Sequence, residues 1–220
     1  MKLLLDTITI EPASGEKPQN AIVLLHGFGA SMYDLANLST AIDSDRYIYI
    51  FPNGPIEIQV GYGITGYAWS KLNEDEASKQ SEDTDKRLQT LITDLIAEYG
   101  SSPTNTILGG FSQGGMMSYR LGLPNPDIFA GLIVLSGSVR DENWVKLRLP
   151  DERSQPIFIS HGTSDGIVPV EDARRSKEFL EQEGYRPDYH EYPIGHEIVQ
   201  DEIRDLKKWL DSVLLENPVS

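Results

Sequence analysis

The sequence TILGGFSQGG, residues 106–115, joins a short apolar run to an amphipathic segment at residues 116–121. An apolar strand, a G-x-S-x-G turn and a helix in this order are typical of a nucleophile elbow, which presents a reactive serine. The turn is so tight that side chains two positions before and after Ser112 would collide, and glycine stands at both, Gly110 and Gly114. The stretch therefore predicts a catalytic Ser112 at a strand-to-helix junction of an α/β fold. The alternative is an ordinary glycine-rich turn.

Apolar runs of similar length recur along the chain, each ending at a turn of glycine or polar residues. They cover residues 22–25, 47–51, 106–108, 132–135 and 156–160. Uninterrupted apolar runs are typical of parallel strands that are buried on both faces. Amphipathic helices are predicted at 83–99, 171–183 and 201–215. This alternation predicts one doubly wound α/β domain over residues 1–220, with helices on both faces of a mostly parallel sheet.

Three segments lie outside this alternation. Residues 3–10 precede it and are expected to form an edge strand or a hairpin partner. Residues 53–80 are first rich in glycine and aromatic residues. Long connections in compact domains are usually functional or disordered, and we expect this first part to border a site. Their second part, 73–80, is expected to be a solvated lead-in to a helix. Residues 137–155 form a short connection between two strands.

The composition excludes several classes of protein. With 19 Lys and Arg against 34 Asp and Glu, the net charge is −15, and such an acidic surface repels nucleic acids and anionic bilayers. The chain has no cysteine, which excludes disulfides and cysteine nucleophiles. No His, Asp or Glu cluster has the spacing of metal ligands, and no apolar run approaches the roughly 20 residues of a membrane span. We expect a cytoplasmic protein with no nucleic-acid partner, no stable membrane association and no metal.

A serine hydroxyl needs a neighbouring base to take its proton, and the chain offers four histidines. His26 and His161 each end a predicted strand just before a glycine, where an imidazole is usually a structural hydrogen-bonding group. His190 lies in an alternating strand. His196 lies in the loop between the last strand and the C-terminal helix, and α/β sheets present their chemistry in loops at the carboxyl ends of strands. We predict His196 as the base, with a solvated loop histidine as the alternative.

The base in turn needs a carboxylate, which fixes its tautomer and stabilises the imidazolium. Asp165 lies in the turn after a predicted strand, and the chain order Ser112, Asp165, His196 is that of hydrolases with this type of sheet. Glu197 and Asp201 lie too close to His196 and begin a helix, where acids complement the helix dipole. We predict Asp165 as the acid, and the alternative is a turn cap.

The tetrahedral intermediate of acyl transfer needs backbone N–H donors aimed at its oxyanion. One donor is expected from Gln113, directly after the serine and in the first helical turn. The second is expected from Phe28, in the loop after the first parallel strand, where Gly27 and Gly29 let the backbone approach a substrate closely. The alternative is that Gly27 and Gly29 are ordinary turn glycines.

Four segments together, LLHGFG (24–29), GFSQGG (110–115), HGTSDGIVP (161–169) and IGH (194–196), resemble the carboxylesterase/phospholipase family of α/β hydrolases. This family includes acyl-protein thioesterases and lysophospholipases. The resemblance extends over residues 21–214 and implies an α/β-hydrolase fold, here without a large lid domain because the connection 137–155 is too short for one. It also implies that Ser112 is the nucleophile, Asp165 the acid and His196 the base, with oxyanion donors at Phe28 and Gln113.

The chain departs from acyl-protein thioesterases at two places. These proteins usually have Gly-Asp after the first H-G-x, where residues 29–31 of this chain read GAS. Their P-x-W-F/Y-D-like segment is replaced by GYAWS at residues 66–70. The resemblance therefore favours general carboxylesterase chemistry over protein depalmitoylation.

These inferences predict a serine carboxylesterase that cleaves a small-molecule ester through a Ser112 acyl-enzyme, without an organic cofactor. Candidate substrate-binding residues are Phe28, Tyr62, Trp69, Ile167 and Val168, each of which could equally belong to the core. The alternative enzyme is an acyl thioesterase or lysophospholipase that acts on long-chain lipids. The non-enzyme alternative is a catalytically silent receptor for a small ligand. A complete triad argues against this alternative. The sequence leaves the oligomeric state open, a homodimer included.

Overall fold

The computed structural model of the protein describes residues 5–15, 18–72 and 79–214. Its strands are β1 (Thr7–Ile10), β2 (Asn20–Leu25), β3 (Tyr47–Pro52), β4 (Ile56–Gly61), β5 (Ile64–Ala68), β6 (Thr106–Phe111), β7 (Gly131–Leu135), β8 (Ile157–Gly162) and β9 (Asp188–Tyr192). Its α-helices are α1 (Leu38–Ile42), α2 (Lys79–Tyr99), α3 (Gln113–Gly122), α4 (Glu142–Lys146), α5 (Val170–Gln182) and α6 (Gln200–Leu214), and a 3₁₀ turn covers Pro103–Asn105.

Seven of these strands form one sheet in the order β1-β3-β2-β6-β7-β8-β9. β1 pairs antiparallel with β3, with Ile8 opposite Phe51, and every other neighbouring pair is parallel. The prediction of an edge strand at 3–10 is thus confirmed for β1, whereas residues 3 and 4 lie outside the described ranges. The predicted mostly parallel sheet is also confirmed, and the protein has an α/β-hydrolase fold.

Side chains of one strand enter two separate cores, because successive residues of a strand point to opposite faces of the sheet. In β2, Val23 and Leu25 belong to a core that also contains side chains of α2, α3 and α5, whereas Ile22 and Leu24 belong to a core that contains side chains of α1 and α6. All four side chains are at most 1% exposed. Burial on both faces explains why the parallel strands have uninterrupted apolar sequences.

The strand order creates a crevice at the carboxyl edge of the sheet, between β2 and β6. From β2 the chain adds β3 on one side and later adds β6 on the other, so the loops after β2 and β6 diverge at a topological switch point. A Cβ atom added to Gly27, after β2, would lie 3.4 Å from Ser112 Cβ, after β6. The fold therefore brings two of the predicted site segments into contact.

The connections contain more regular structure than the sequence predicts. Residues 53–80 include an antiparallel hairpin of β4 and β5, separate from the main sheet. The predicted lead-in at 73–80 lies outside the described residues except for its end, where α2 begins at Lys79. The connection 137–155 holds only the five-residue helix α4, so no large lid domain covers the described part of the chain. No helix within those described ranges has both the length and the apolarity to cross a bilayer.

Candidate active site

Ser112 has a backbone conformation that residues with a side chain rarely adopt, with φ 56° and ψ −117°. Two glycines make this turn possible. A Cβ atom at Gly110 would overlap the carbonyl carbon of Gly114, and one at Gly114 would overlap the carbonyl oxygen of Leu25. Strands β2 and β6 and helix α3 therefore meet backbone to backbone. Their contact holds Ser112 at the start of α3.

The carboxylate of Asp165 is held in the turn after β8 and binds the imidazole of His196. Its Oδ1 accepts the N–H groups of Ile167 and Val168 at 2.8 and 2.9 Å, and its Oδ2 lies 2.6 Å from His196 Nδ1. Burial alone raises the pKa of Asp165, but the hydrogen bonds from His196, Val168 and Ile167 outweigh burial and hold the pKa below its usual range. The group is therefore a carboxylate at neutral pH, and it requires a proton on Nδ1 of His196.

His196 lies in the loop after β9 and packs against the residue that precedes the elbow serine. The ring centroids of His196 and Phe111 are 4.6 Å apart. Because Nδ1 donates to Asp165, the lone pair of the neutral imidazole is on Nε2, which is the nitrogen that a base needs. His196 and Ser112 both border one cleft.

The two amides predicted to stabilise an oxyanion lie on either side of Ser112. Gln113 is the first residue of α3, so its N–H has no partner within the helix. In the loop after β2, Gly29 N–H donates to Tyr67 O at 2.9 Å. The N–H of Phe28, one residue earlier, takes part in none of the hydrogen bonds among the described residues. Both amides are thus available to an external acceptor.

An open cleft of about 470 Å³ contains these groups. Three of the predicted substrate-binding residues, Phe28, Ile167 and Val168, line it. Phe28 is 40% and Ile167 73% exposed, so the cleft presents apolar side chains to solvent. Within the described ranges, no three His, Asp or Glu side chains are grouped closely enough to hold a metal ion.

Tyr62 and Trp69, the other two predicted substrate-binding residues, lie outside this cleft. Tyr62 is fully exposed in the turn between β4 and β5. Trp69 is 0% exposed, and its indole N–H donates to His26 O at 2.9 Å. The hairpin extends Tyr62 into solvent and the chain after it turns Trp69 into the core, so the structure does not bring these two side chains to the cleft.

The cleft has further lining residues that the sequence does not indicate. Four are apolar, Ala30, Leu72, Phe111 and Met116, and three are charged, Asp34, Lys71 and Arg140. Phe111 and Met116 lie close to Ser112 in the sequence. This proximity is the only feature of the sequence that could have identified them as lining residues. The charged residues come from three separate connections, and no pattern in the sequence links these connections to one another.

The remaining histidines have structural surroundings. His26 is buried, its Nε2 accepts Gly54 N–H at 3.0 Å, and burial lowers its pKa. His161 is also buried, with Nε2 2.8 Å from Val168 O. His190 is half-buried in β9. His196 is the one of the four that lines the cleft.

Comparisons with known proteins agree with this fold. A sequence profile of the phospholipase/carboxylesterase family matches residues 7–214. Acyl-protein thioesterase 1 of Mycosarcoma maydis is 31% identical, over 96% of this chain and 98% of its own. Carboxylesterase SOBER1 of Arabidopsis thaliana is 29% identical, over 86% of this chain and 88% of its own. The crystal structure of esterase PE8 has a TM-score of 0.83 at 28% identity, over 96% of this chain and 100% of that one. The chain therefore belongs to the phospholipase/carboxylesterase family and is an ester hydrolase.

Proposed function

We propose that this hydrolase is a serine carboxylesterase in which Ser112, His196 and Asp165 form a catalytic triad. The observation that carries the proposal is the 2.6 Å hydrogen bond between His196 Nδ1 and Asp165 Oδ2, beside a cleft that Ser112 also borders. The strained backbone of Ser112 supports the same role, because such strain persists where the surrounding structure enforces it and is common at active sites.

The proposed reaction has two halves, and His196 moves a proton in each. In the first, Nε2 takes the proton of Ser112 Oγ while Oγ attacks the ester carbonyl carbon. The N–H groups of Phe28 and Gln113 stabilise the oxyanion, and Asp165 stabilises the imidazolium. The C–O bond then breaks, and the imidazolium gives its proton to the leaving alcohol. In the second half the imidazole takes a proton from a water molecule, whose oxygen attacks the acyl carbon. The bond between that carbon and Ser112 Oγ then breaks, the imidazolium returns its proton to Oγ, and the carboxylic acid is released.

The proposed substrate is a soluble ester with a short to medium acyl chain. A cleft of about 470 Å³ falls within the common range for small-molecule sites, about 300–1,000 Å³. Its apolar residues Phe28, Leu72 and Ile167 suit a hydrocarbon group. The net charge of −15 opposes the approach to an anionic bilayer over about one Debye length, ~8 Å at physiological salt.

Labelling with a fluorophosphonate probe tests the nucleophile. We expect wild-type protein to be labelled once, and Ser112→Ala to lose both labelling and p-nitrophenyl acetate hydrolysis with little change in thermal unfolding. Ser136→Ala is the matched control, because Ser136 also has a positive φ, 51°, at the end of the neighbouring strand but does not line the cleft. Labelling that persists in Ser112→Ala would show that another serine reacts. Wild-type protein that neither reacts nor turns over would instead favour a silent ligand receptor.

A second candidate is a thioesterase or lysophospholipase with the same triad, which is favoured by the name of the 31% identical relative, acyl-protein thioesterase 1. A panel of p-nitrophenyl esters of graded chain length, a palmitoyl thioester, a lysophospholipid and phosphatidylglycerol-containing vesicles separates the two. We expect the highest kcat/KM for the short to medium esters. Faster cleavage of a lipid substrate, at matched concentration below saturation, would favour the second candidate.

A further inference from the structure

The side chain of Gln113 is 7% exposed and is hydrogen-bonded through both of its polar atoms. Oε1 accepts Trp69 N–H at 2.9 Å, and Nε2 donates to Ser70 O at 2.8 Å and to Ser70 Oγ at 3.2 Å. A primary amide can accept and donate at once, which neither a carboxylate nor a thioether can do. Helix α3 is thus attached, at its first residue, to the segment that follows β5.

Strand β5, directly before this segment, binds the loop that carries the other proposed oxyanion donor. Gly29 N–H donates to Tyr67 O at 2.9 Å, and Tyr67 N–H donates to Ala30 O at 2.8 Å. A Cβ atom at Gly66 would overlap Gly29 O, so the two backbones are in direct contact. The amide of Phe28, one residue before Gly29, is therefore located relative to β5 as well as to β2.

Trp69, between these two attachments, is fixed in the core. Its indole N–H donates to His26 O at 2.9 Å, and its own carbonyl accepts the hydroxyl of Thr84, on α2, at 3.1 Å. The tryptophan side chain is fully buried. The segment 67–70 is therefore a rigid link that contacts the loop of Phe28 at one end and Gln113 at the other.

We propose that the side chain of Gln113 is a positioning residue that sets the distance between the two oxyanion amides, those of Phe28 and Gln113. The inference rests on the proposed Ser112 mechanism. Groups that act on a transition state must be held within about 0.5 Å of their productive geometry, and a displacement of about 1 Å costs about 100-fold in rate. Because the N–H of residue 113 is present whatever its side chain, a substitution there moves the donor without removing it.

Steady-state kinetics of Gln113→Met test this role. The variant has a side chain of similar length but cannot form the three hydrogen bonds of the Gln113 amide. With p-nitrophenyl acetate we expect kcat to fall about 10- to 100-fold, less than or equal to the loss of a whole oxyanion donor. KM should change less than about threefold, because ground-state binding is not affected. The inhibition constant of a trifluoromethyl ketone, which forms an oxyanion on Ser112, should rise by the factor by which kcat/KM falls.

Two further variants make the result specific. Gln155→Met is the matched control, because Gln155 also donates from Nε2 to a backbone carbonyl, that of Phe129, at 2.9 Å, but does not line the cleft. It should lower the thermal midpoint and leave kcat and the ketone inhibition constant unchanged. Gln113→Asn keeps a neutral amide but is one methylene shorter, so it cannot span from Trp69 N–H to Ser70 O, and its kcat should lie between those of wild type and Gln113→Met. It provides the same comparison if Gln113→Met does not fold.

A kcat of the Gln113 variants within threefold of wild type, or ketone inhibition that does not follow kcat/KM, would overturn the inference and leave Gln113 with a structural role. A shifted pH profile of kcat/KM would also overturn it, because the change would then act through His196. Failure of the proposed function would give a different result, because Ser112→Ala would then still turn over the ester. That result is obtained independently of the Gln113 variants.

Discussion

The carboxylate of Asp165 uses one oxygen to hold itself in place and the other to hold His196. Oδ1 accepts the backbone N–H groups of Ile167 and Val168, and Oδ2 lies 2.6 Å from His196 Nδ1. The buried His161 lies close by, with Nε2 3.4 Å from the same Oδ2 and 2.8 Å from Val168 O. A carboxylate that is oriented before a substrate arrives needs no rearrangement when positive charge develops on the imidazole.

Asp165→Asn should fold normally and lose activity by about four orders of magnitude. An amide in this position favours the wrong tautomer of His196 and carries no charge to stabilise the imidazolium. The measurement is kcat/KM for p-nitrophenyl acetate, with circular dichroism as a check of folding. Asp188→Asn is the control, because Asp188 also lies beside a histidine, 2.9 Å from His190, at the far end of β9. A loss of less than tenfold in Asp165→Asn would assign the acid's role to another carboxylate.

Glu202→Gln should change how stability depends on pH. Burial raises the pKa of Glu202, and hydrogen bonds from Ser160 Oγ and Val199 N–H offset it only in part. Between the unfolded pKa, about 4.3, and the raised folded pKa, the folded state binds more protons, so the protein loses stability as pH rises. Because glutamine does not titrate, Glu202→Gln does not show this loss of stability as pH rises.

Urea unfolding of both proteins at pH 4.5, 6 and 8 checks this prediction. The free energy of unfolding of wild type minus that of Glu202→Gln should decrease as pH rises and then become constant. Glu197→Gln changes an exposed acid in the loop just before α6, and it corrects for removing one charge from an acidic protein. A difference that grows with pH would contradict the assigned direction of the pKa shift.

Gly114→Ala should destabilise the protein far more than Gly166→Ala. The new methyl group at residue 114 would overlap Leu25 O, a backbone atom in the central sheet, whereas a Cβ at residue 166 meets nothing within 4 Å. We expect a loss of more than about 3 kcal/mol for Gly114→Ala, or at least ~6 °C in thermal midpoint for a domain of this size. Gly166→Ala should stay within about 2 °C of wild type. Equal midpoints for the two variants would refute the close contact of β2 with α3.

Trp69→Phe should affect stability rather than substrate binding. The substitution removes the indole donor to the buried carbonyl of His26, which costs about 1–3 kcal/mol. KM for p-nitrophenyl butyrate should change less than about threefold, because Trp69 does not line the cleft. Tyr62→Ala, on the exposed turn, should change neither quantity. A tenfold rise in KM for Trp69→Phe would restore Trp69 as a substrate contact.

Local sequence patterns were sufficient for the main sheet and for the elements of the proposed triad. The apolar runs identify the parallel strands because those strands are buried on both faces and admit few polar residues. The elbow is recognisable because the constraint is local: the clash that requires Gly110 involves Gly114, only four residues away. Asp165 and His196 follow predicted strands, and parallel strands bring their carboxyl ends to the same edge of the sheet.

The β4–β5 hairpin is an element whose place in the fold the local sequence patterns do not predict. Ile56, Ile58 and Val60 alternate with polar residues, which is the pattern of a half-buried strand. The hairpin has no place in the main sheet, however, and it is held by contacts with the loop at residues 27–30, such as Gly29 N–H to Tyr67 O. Contacts between segments nearly 40 residues apart leave no periodicity in either segment.

The sequence by itself determined the sheet, the elbow and the candidate acid and base, because each depends on strand burial or on sterics within a few residues. Only the tertiary structure decided which side chains line the cleft. It turned Trp69 inward, extended Tyr62 into solvent and brought Lys71 and Arg140 to the cleft from separate connections. It also attached the Gln113 side chain to the segment after β5, 43 and 44 residues away. These outcomes depend on how distant segments pack against one another, and packing between segments is set by their three-dimensional fit rather than by the pattern within either one.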